Sequence, residues 1–311
     1  MVPVALTTFP LPPRATSLLS GVAELRGPEG WPDHLADADA LLCLLTDRVD
    51  SALLDAAPRL RVVACATAGY EHVDVAACRA RGIAVTNAPG VLTEATADLT
   101  WALLLATVRR LPQAERDLRA GNFHGWGFWD YLGGDLHGAT LGIYGMGRIG
   151  QAVARRARPF GMRIVYHSRT RLPAGPEGEL GATWTDRDGL LAESDVLTLH
   201  APLTAETRGF LDAGAFARMR RGSYLVNTAR GPLVDEAALV QALRDGHLAG
   251  AGLDVYQHEP AIHPGLLELG NVVLLPHIGS ATLETRTRMA TLAARNAAAV
   301  LTGQPVPNAV A

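Results

Sequence analysis

Gly145-Met146-Gly147-Arg148-Ile149-Gly150 follows the apolar run "LGIY" and opens a stretch, "RIGQAVARRARPFGM", with helical periodicity. A glycine turn between a strand and a helix is suited to the pyrophosphate of a dinucleotide. Gly145 permits the tight turn, Gly147 lets the backbone approach the phosphates, and Gly150 lets helix and strand pack closely. Arg148 and Ile149 begin the helix, whose N-terminus offers amide donors and a positive dipole to an anion. A second strand, "RIVYH", should then end in an Asp or Glu that holds the adenine ribose hydroxyls. Instead it runs into Ser168, Arg169, Thr170 and Arg171. An acid there favours a free 2′-hydroxyl and repels a 2′-phosphate, whereas guanidinium and hydroxyl groups reverse both preferences. The expected cofactor is therefore NADPH, with NADH possible. The plainer alternative is that both arginines are merely solvated.

Three further motifs stand at the C-terminal ends of expected strands, where open α/β sheets place their ligands. They are "VNTARGPLVDEAAL" around Arg230, "GLDVYQHEP" with Glu259, and "LLPHIGSAT" around His277. Singly, each has a plain reading: a surface ion pair for Arg230, a loop carboxylate before Pro260, a strand-end histidine.

Alternating strands and helices must position these groups. "ALLCLLT", "RVVACAT" and "IAVTNAP" read as buried parallel strands, after a first strand within "MVPVALTTFPLPPR". Helical patterns such as "SALLDAAP" and "VDVAACRARG" separate them. Residues 92–121 form one long helical stretch capped by Gly121, with Pro112 a kink or break. An aromatic, glycine-rich loop follows, and the glycine-turn strand begins at Thr140. Strands then recur as "RIVYHS", "VLTLHAP", "SYLVNTA", "LAGAGLDV" and "NVVLLPH", before a last helix from about Leu283 to Leu301. The expected architecture is α/β, with a Rossmann-type doubly wound dinucleotide domain at residues 98–286. It interrupts a smaller α/β substrate domain made of residues 1–97 and completed by 287–311. Small ligands usually bind in the cleft between such domains.

The 311 residues are 48% hydrophobic and 19% charged, with net charge −3, which is globular composition long enough for two domains. Near-neutral charge with no basic block gives no reason to expect nucleic acid or an anionic membrane as partner. The longest apolar runs fall far short of the roughly 20 residues that span a bilayer. No signal peptide is visible, and a cytoplasmic location is expected. Cys43, Cys65 and Cys78 have no metal-ligand spacing and read as buried inert thiols; no metal is expected. The chain contains no lysine, which excludes Schiff-base chemistry and the P-loop lysine.

Taken together, these motifs resemble the D-isomer-specific 2-hydroxyacid dehydrogenase family over essentially the whole chain. "ATAGYEHVD", "NAPGVLTEATADLTWALLLATVRRLPQAE", "GMGRIGQAVARRARPFGM", "HAPLTAETRG" and "LPHIGSAT" look like its glyoxylate/hydroxypyruvate reductase branch. That branch is similar in carrying Arg after the second strand and using NADPH. The resemblance implies a flavodoxin-like fold for the substrate domain and reduction of a small 2-oxo acid to the D-2-hydroxy acid. It implies His277 as proton donor, Glu259 as the partner that orients it and favours its protonated form, and Arg230 as the carboxylate's cation. Ala68 and Gly69 backbone amides, Ser280 and Trp126 join Arg230 and His277 at the substrate by the same analogy. His200, Ala201, Pro202, Thr207, Thr228, Ala229, Asp254 and Gly279 are implied at the cofactor. Asp74, His72, His124 and His137 are left as exposed structural residues.

The resemblance also implies a homodimer interface at the long helix. The loop "NFHGWGFWDYLGG" carries Trp126, Phe128, Trp129 and Tyr131, which either cover their own domain or reach the partner. In the second case Trp126 would limit acceptor size at the partner's site. Rival readings are the same chemistry on a bulkier 2-oxo acid, and a non-catalytic dinucleotide sensor resembling a corepressor. Formate or phosphite oxidation is more remote.

Overall fold

The computed structural model describes residues 2–310, which divide into two compact units. The first holds the chain up to Leu92 and again from Ser280; the second is Thr93–Gly279. The expected boundaries at 97/98 and 286/287 would have cut through two continuous helices, Thr93–Val108 and Leu283–Leu301. Each helix instead keeps its hydrogen-bonded turns within one unit.

Five strands build the first unit: β1 (Val4–Thr7), β2 (Glu24–Arg26), β3 (Ala40–Cys43), β4 (Val62–Cys65) and β5 (Ala84–Thr86). They pair in parallel in the order β2-β1-β3-β4-β5, the flavodoxin-like order. Alternate residues point to opposite faces, and both faces are covered. Leu6, Leu41, Val63 and Val85 pack in one cluster with Leu54 and Cys78 from the helices Ser51–Ala56 and Val75–Ala80. Ala5, Leu42, Val62 and Ala64 pack in another with Ala290, Ala294 and Ala297 of Leu283–Leu301. This double burial is why the central strands β3 and β4 read as unbroken apolar runs.

The second unit has seven strands: β6 (Thr140–Tyr144), β7 (Arg163–His167), β8 (Ala182–Trp184), β9 (Val196–Leu199), β10 (Ser223–Asn227), β11 (Leu248–Leu253) and β12 (Val272–Leu274). All pair in parallel, in the order β12-β11-β10-β9-β6-β7-β8. Chain order reverses between β6 and β9, and the crevice at the carboxyl ends of strands on such a switch point is where doubly wound sheets take ligands. The long helical stretch is two helices, Thr93–Val108 and Leu111–Arg119, broken at Arg110, whose φ is +53°. Pro112 lies in the first turn of the second helix, where a missing N–H costs nothing. Among the described residues, no helix is long and apolar enough to cross a membrane.

Candidate active site

At the end of β6, Gly145 has φ +96°, and a Cβ there would lie 2.5 Å from the Ala201 nitrogen. A Cβ on Gly150 would lie 2.1 Å from the Gly145 carbonyl oxygen, so strand and helix meet only because both positions are glycine. Around Gly147 a Cβ would meet nothing within 4 Å, and no side chain caps the helix Arg148–Ala157 that starts there. Next to this turn, at the end of β9, His200 accepts or donates one bond, to Thr198 Oγ1 at 2.9 Å. Its Nδ1 is buried without a partner, and burial pushes the imidazole down to about 3, so the ring is neutral. An open glycine cradle, a bare helix N-terminus and an orphaned ring nitrogen together fit a dinucleotide. Pro202 and Thr207 lie on the adjoining loop, where Thr207 Oγ1 donates to the Pro202 carbonyl at 2.7 Å.

After β7 the two arginines diverge. Arg171 is engaged internally: its Nη2 and Nε lie 2.8 and 3.1 Å from the carboxylate oxygens of Glu177. Tyr166, fully buried, donates its hydroxyl to the same carboxylate at 2.8 Å. These bonds, Arg171 first, hold the Glu177 carboxyl below its usual range. Arg169 is exposed and contributes, behind a hydrogen bond from Thr204, to lowering the Glu206 carboxyl. It therefore faces the loop that carries Thr207. Ser168 Oγ donates to the Thr170 carbonyl at 2.7 Å and so shapes the turn between the arginines. The sequence suggested one cluster of four; in the structure Arg171 is taken up by Glu177, and Arg169 is the exposed guanidinium of the pair.

Arg230, Glu259 and His277 converge at the ends of β10, β11 and β12. Glu259 Oε2 is 2.9 Å from His277 Nδ1, while Oε1 accepts the Tyr256 amide at 2.9 Å. Burial pushes the Glu259 carboxyl up, but the His277 bond, the Tyr256 amide, and the charges of His277 and Arg230 outweigh it, leaving it below its usual range. The Arg230 loop packs directly on the segment leading to Glu259: a Cβ on Gly231 would lie 1.7 Å from the Tyr256 carbonyl oxygen. Asn227, 1% exposed, donates to the Arg230 carbonyl at 2.9 Å and accepts the Ala229 amide at 3.0 Å. Arg230 Nη1 donates to the Ala229 carbonyl at 2.7 Å.

His277 takes φ +53°, a left-handed conformation uncommon for a residue other than glycine and held here by its neighbours. Asp254 supplies that hold. Its carboxylate accepts the Ile278 and Gly279 amides at 2.7 and 2.8 Å. Burial pushes this carboxyl up against the opposing pull of those amides and of His277. The resemblance implies Asp254 and Gly279 at the cofactor; what the structure shows is that they brace the His277 loop. Sequence reasoning missed Thr96 and Thr100 of the helix Thr93–Val108. Thr96 Oγ1 donates to the Gly279 carbonyl at 3.2 Å, and Thr100 Oγ1 is 2.8 Å from Thr228 Oγ1. The available signal was hydroxyls one turn apart on an otherwise apolar face.

In the first unit, Ala68 and Gly69 follow β4. Asn87 Nδ2 donates to the Ala68 carbonyl at 2.6 Å and Thr67 Oγ1 to the Gly69 carbonyl at 2.7 Å. Among the described residues neither the Ala68 nor the Gly69 amide has an acceptor. Ser280 follows Gly279 directly and is half-buried. Trp126, Phe128 and Trp129 do not cover their own chain: they are 81%, 66% and 75% exposed and touch one another edge to face.

Residues 101–279 match the sequence profile described as D-isomer specific 2-hydroxyacid dehydrogenase, NAD binding domain. A glyoxylate reductase of Thermococcus kodakarensis is 47% identical over 325 residues, covering 100% of this chain and 96% of that protein. The crystal structure of a Thermus thermophilus protein superposes with TM-score 0.92 at 47% identity, covering 99% and 100% of the two chains. The NADPH-dependent glyoxylate/hydroxypyruvate reductase of Sinorhizobium meliloti, in complex with NADP and malonate, superposes with TM-score 0.89 at 38% identity, covering 100% and 97%. The chain thus belongs to the D-isomer-specific 2-hydroxyacid dehydrogenases, nicotinamide-dependent oxidoreductases of 2-oxo and 2-hydroxy acids, in their glyoxylate reductase branch.

Proposed function

We propose that this chain reduces a small 2-oxo acid, glyoxylate or hydroxypyruvate, to the D-2-hydroxy acid, with NADPH as the preferred reductant. The observation that carries the reading is the 2.9 Å pair of Glu259 and His277, with Arg230 close enough to bear on the same carboxylate. When bound, the reduced nicotinamide supplies a hydride to the oxo carbon. The chain's own groups do the rest. Arg230 binds the substrate carboxylate and polarises the carbonyl. His277 keeps Nδ1 on Glu259, so Nε2 is the atom that delivers a proton to the oxygen as it gains negative charge. Glu259, charged over the working range, fixes the orientation of the ring through that bond. Asp254 holds the loop that aims His277.

Gly145, Gly147 and Gly150, with the amides of Arg148 and Ile149, would cradle the pyrophosphate, and neutral His200 would offer its orphaned Nδ1 beside them. Arg169 would pair with the 2′-phosphate, helped by Ser168 and Thr170; a guanidinium and no acid at this turn is what supports NADPH over NADH. The Sinorhizobium meliloti relative is described as NADPH-dependent, which agrees. A homodimer belongs to the same reading. The helix Leu111–Arg119 buries no residue, and its Leu111 and Leu118 are 53% and 59% exposed beside the bare aromatic loop. So much apolar surface on one segment is what a partner covers. Trp126 would then restrict acceptor size in the partner subunit. The three free thiols suit a cytoplasmic setting.

Initial rates for a panel of 2-oxo acids, each with NADPH and with NADH, test this reading. Fastest turnover with glyoxylate or hydroxypyruvate and NADPH is expected. Preference for bulky aryl or branched acceptors, or for NADH, would overturn it.

A further inference from the structure

The cysteines lack metal-ligand spacing along the chain, yet the sheet brings two of them together with a histidine. Cys43 ends β3, Cys65 ends β4, and the parallel register sets them opposite one another. Their sulfurs are 3.9 Å apart, and His72 Nε2 lies 3.8 Å from Cys43 Sγ. One donor atom from each of the three residues lies within 4.8 Å of the others. Both thiols are fully buried among Leu41, Val63 and Val85, whereas His72 is half-buried and forms the side open to solvent. His72 is therefore neither exposed nor isolated, contrary to the sequence reading.

Two of the three sides match a coordination triangle, and the third, between Cys65 and His72, closes within 4.8 Å. A cation bonded at about 2.3 Å to sulfur and about 2.0 Å to imidazole, with bonds at roughly 120°, sets its sulfurs about 4.0 Å apart and sulfur to nitrogen about 3.7 Å. The observed 3.9 and 3.8 Å agree within a few tenths of an ångström. Two thiols and an imidazole in an apolar pocket select soft cations over magnesium or calcium. We propose that Cys43, Cys65 and His72 form a binding site for a thiophilic d10 cation, Cu(I) or Zn2+. Binding releases the two thiol protons to solvent and changes no oxidation state. Three ligands satisfy Cu(I), whereas Zn2+ would need a fourth, such as water entering past His72. Cys65 runs directly into residues 66–69, so a bound cation would stiffen the segment that presents the Ala68 and Gly69 amides. That consequence rests on the proposed function; uptake of the cation does not.

The test uses the fully reduced full-length protein without oxygen. Cu(I) and Zn2+ are each titrated against a chromogenic chelator, and X-ray absorption is recorded on the loaded wild type. Wild type and Cys78→Ala should take up one equivalent of at least one cation, with two sulfurs and at least one nitrogen bonded to it. Cys43→Ala and Cys65→Ala should lose stoichiometric uptake, and His72→Gln should bind at least about tenfold more weakly. Circular dichroism checks that each variant is folded, and the wild-type spectrum needs no variant at all. No stoichiometric uptake of either cation by wild type, a bound metal without two sulfur ligands, or uptake undiminished in folded Cys43→Ala would overturn the proposal.

Discussion

Replacing Arg169 with alanine should raise the KM for NADPH about tenfold while changing that for NADH little. A charge-assisted hydrogen bond is worth about 1.5–3 kcal/mol. Arg169 is exposed, so water and salt screen its charge and the lower end applies. About 1.5 kcal/mol corresponds to roughly a factor of ten. Arg171→Ala should behave differently, because its guanidinium already holds Glu177, whose side chain is 11% exposed and also takes the Tyr166 hydroxyl. Losing Arg171 removes the strongest support of that carboxylate, so the melting temperature should fall while the ratio of the two KM values stays near that of wild type. The assay is initial rate at saturating 2-oxo acid with varied NADPH and NADH for both variants, alongside thermal melts. Equal effects of Arg169→Ala on the two cofactors would refute the assignment. So would an Arg171→Ala variant that shifts the cofactor ratio more than Arg169→Ala does.

Glu259→Gln should lower activity across the pH–rate profile and remove the acid-side fall that tracks the Glu259 carboxyl. The wild-type carboxyl lies below its ordinary 4.5, so the pair's stabilisation is present above that value and lost only as pH falls through the lower folded value; glutamine cannot supply it at any pH. Gly150→Ala would press a Cβ to 2.1 Å from the Gly145 carbonyl oxygen, which cannot yield like a side chain. We expect a loss of about 1–3 kcal/mol in denaturant unfolding, together with weaker cofactor binding by fluorescence titration. Light scattering should find wild type dimeric, and Trp126→Ala should gain activity on larger 2-oxo acids at the expense of glyoxylate. A monomeric wild type or an unchanged acceptor profile would refute the reading of that loop as a dimer contact that limits acceptor size.

Local patterns were legible in the sequence, and register was not. The glycine turn could be read because its three positions lie within six residues, and each role follows from the backbone: Gly145 turns, Gly147 stays open, Gly150 packs. Central strands such as β4 and β9 could be read because burial on both faces makes them apolar or nearly so, with Thr198 the one polar residue in β9. The edge strands β2 and β8 went unread: each is three residues long, has one neighbour, and is partly exposed, so neither an apolar run nor clean alternation marks it. Arg230, Glu259 and His277 were recognisable by motif, but the brace from Asp254 to the Ile278 and Gly279 amides depends on how β11 and β12 align. Cys43 and Cys65 are 22 positions apart, and only the pairing of β3 with β4 makes them neighbours. Arg169 and Arg171 look equivalent in sequence until Glu177, one helical turn into Ala174–Leu180, claims one of them.

The central claim is that His277, held by Glu259, protonates a 2-oxo acid during reduction by NADPH. It is tested most directly by following the nicotinamide absorbance band with glyoxylate for wild type and His277→Ala, with NADPH binding measured on both. Wild type should oxidise NADPH in step with glyoxylate consumed, and the variant should bind NADPH as wild type does while turning over roughly 10²–10⁴-fold more slowly. Undiminished turnover in the variant would contradict the account, as would a wild type that binds NADPH without oxidising it.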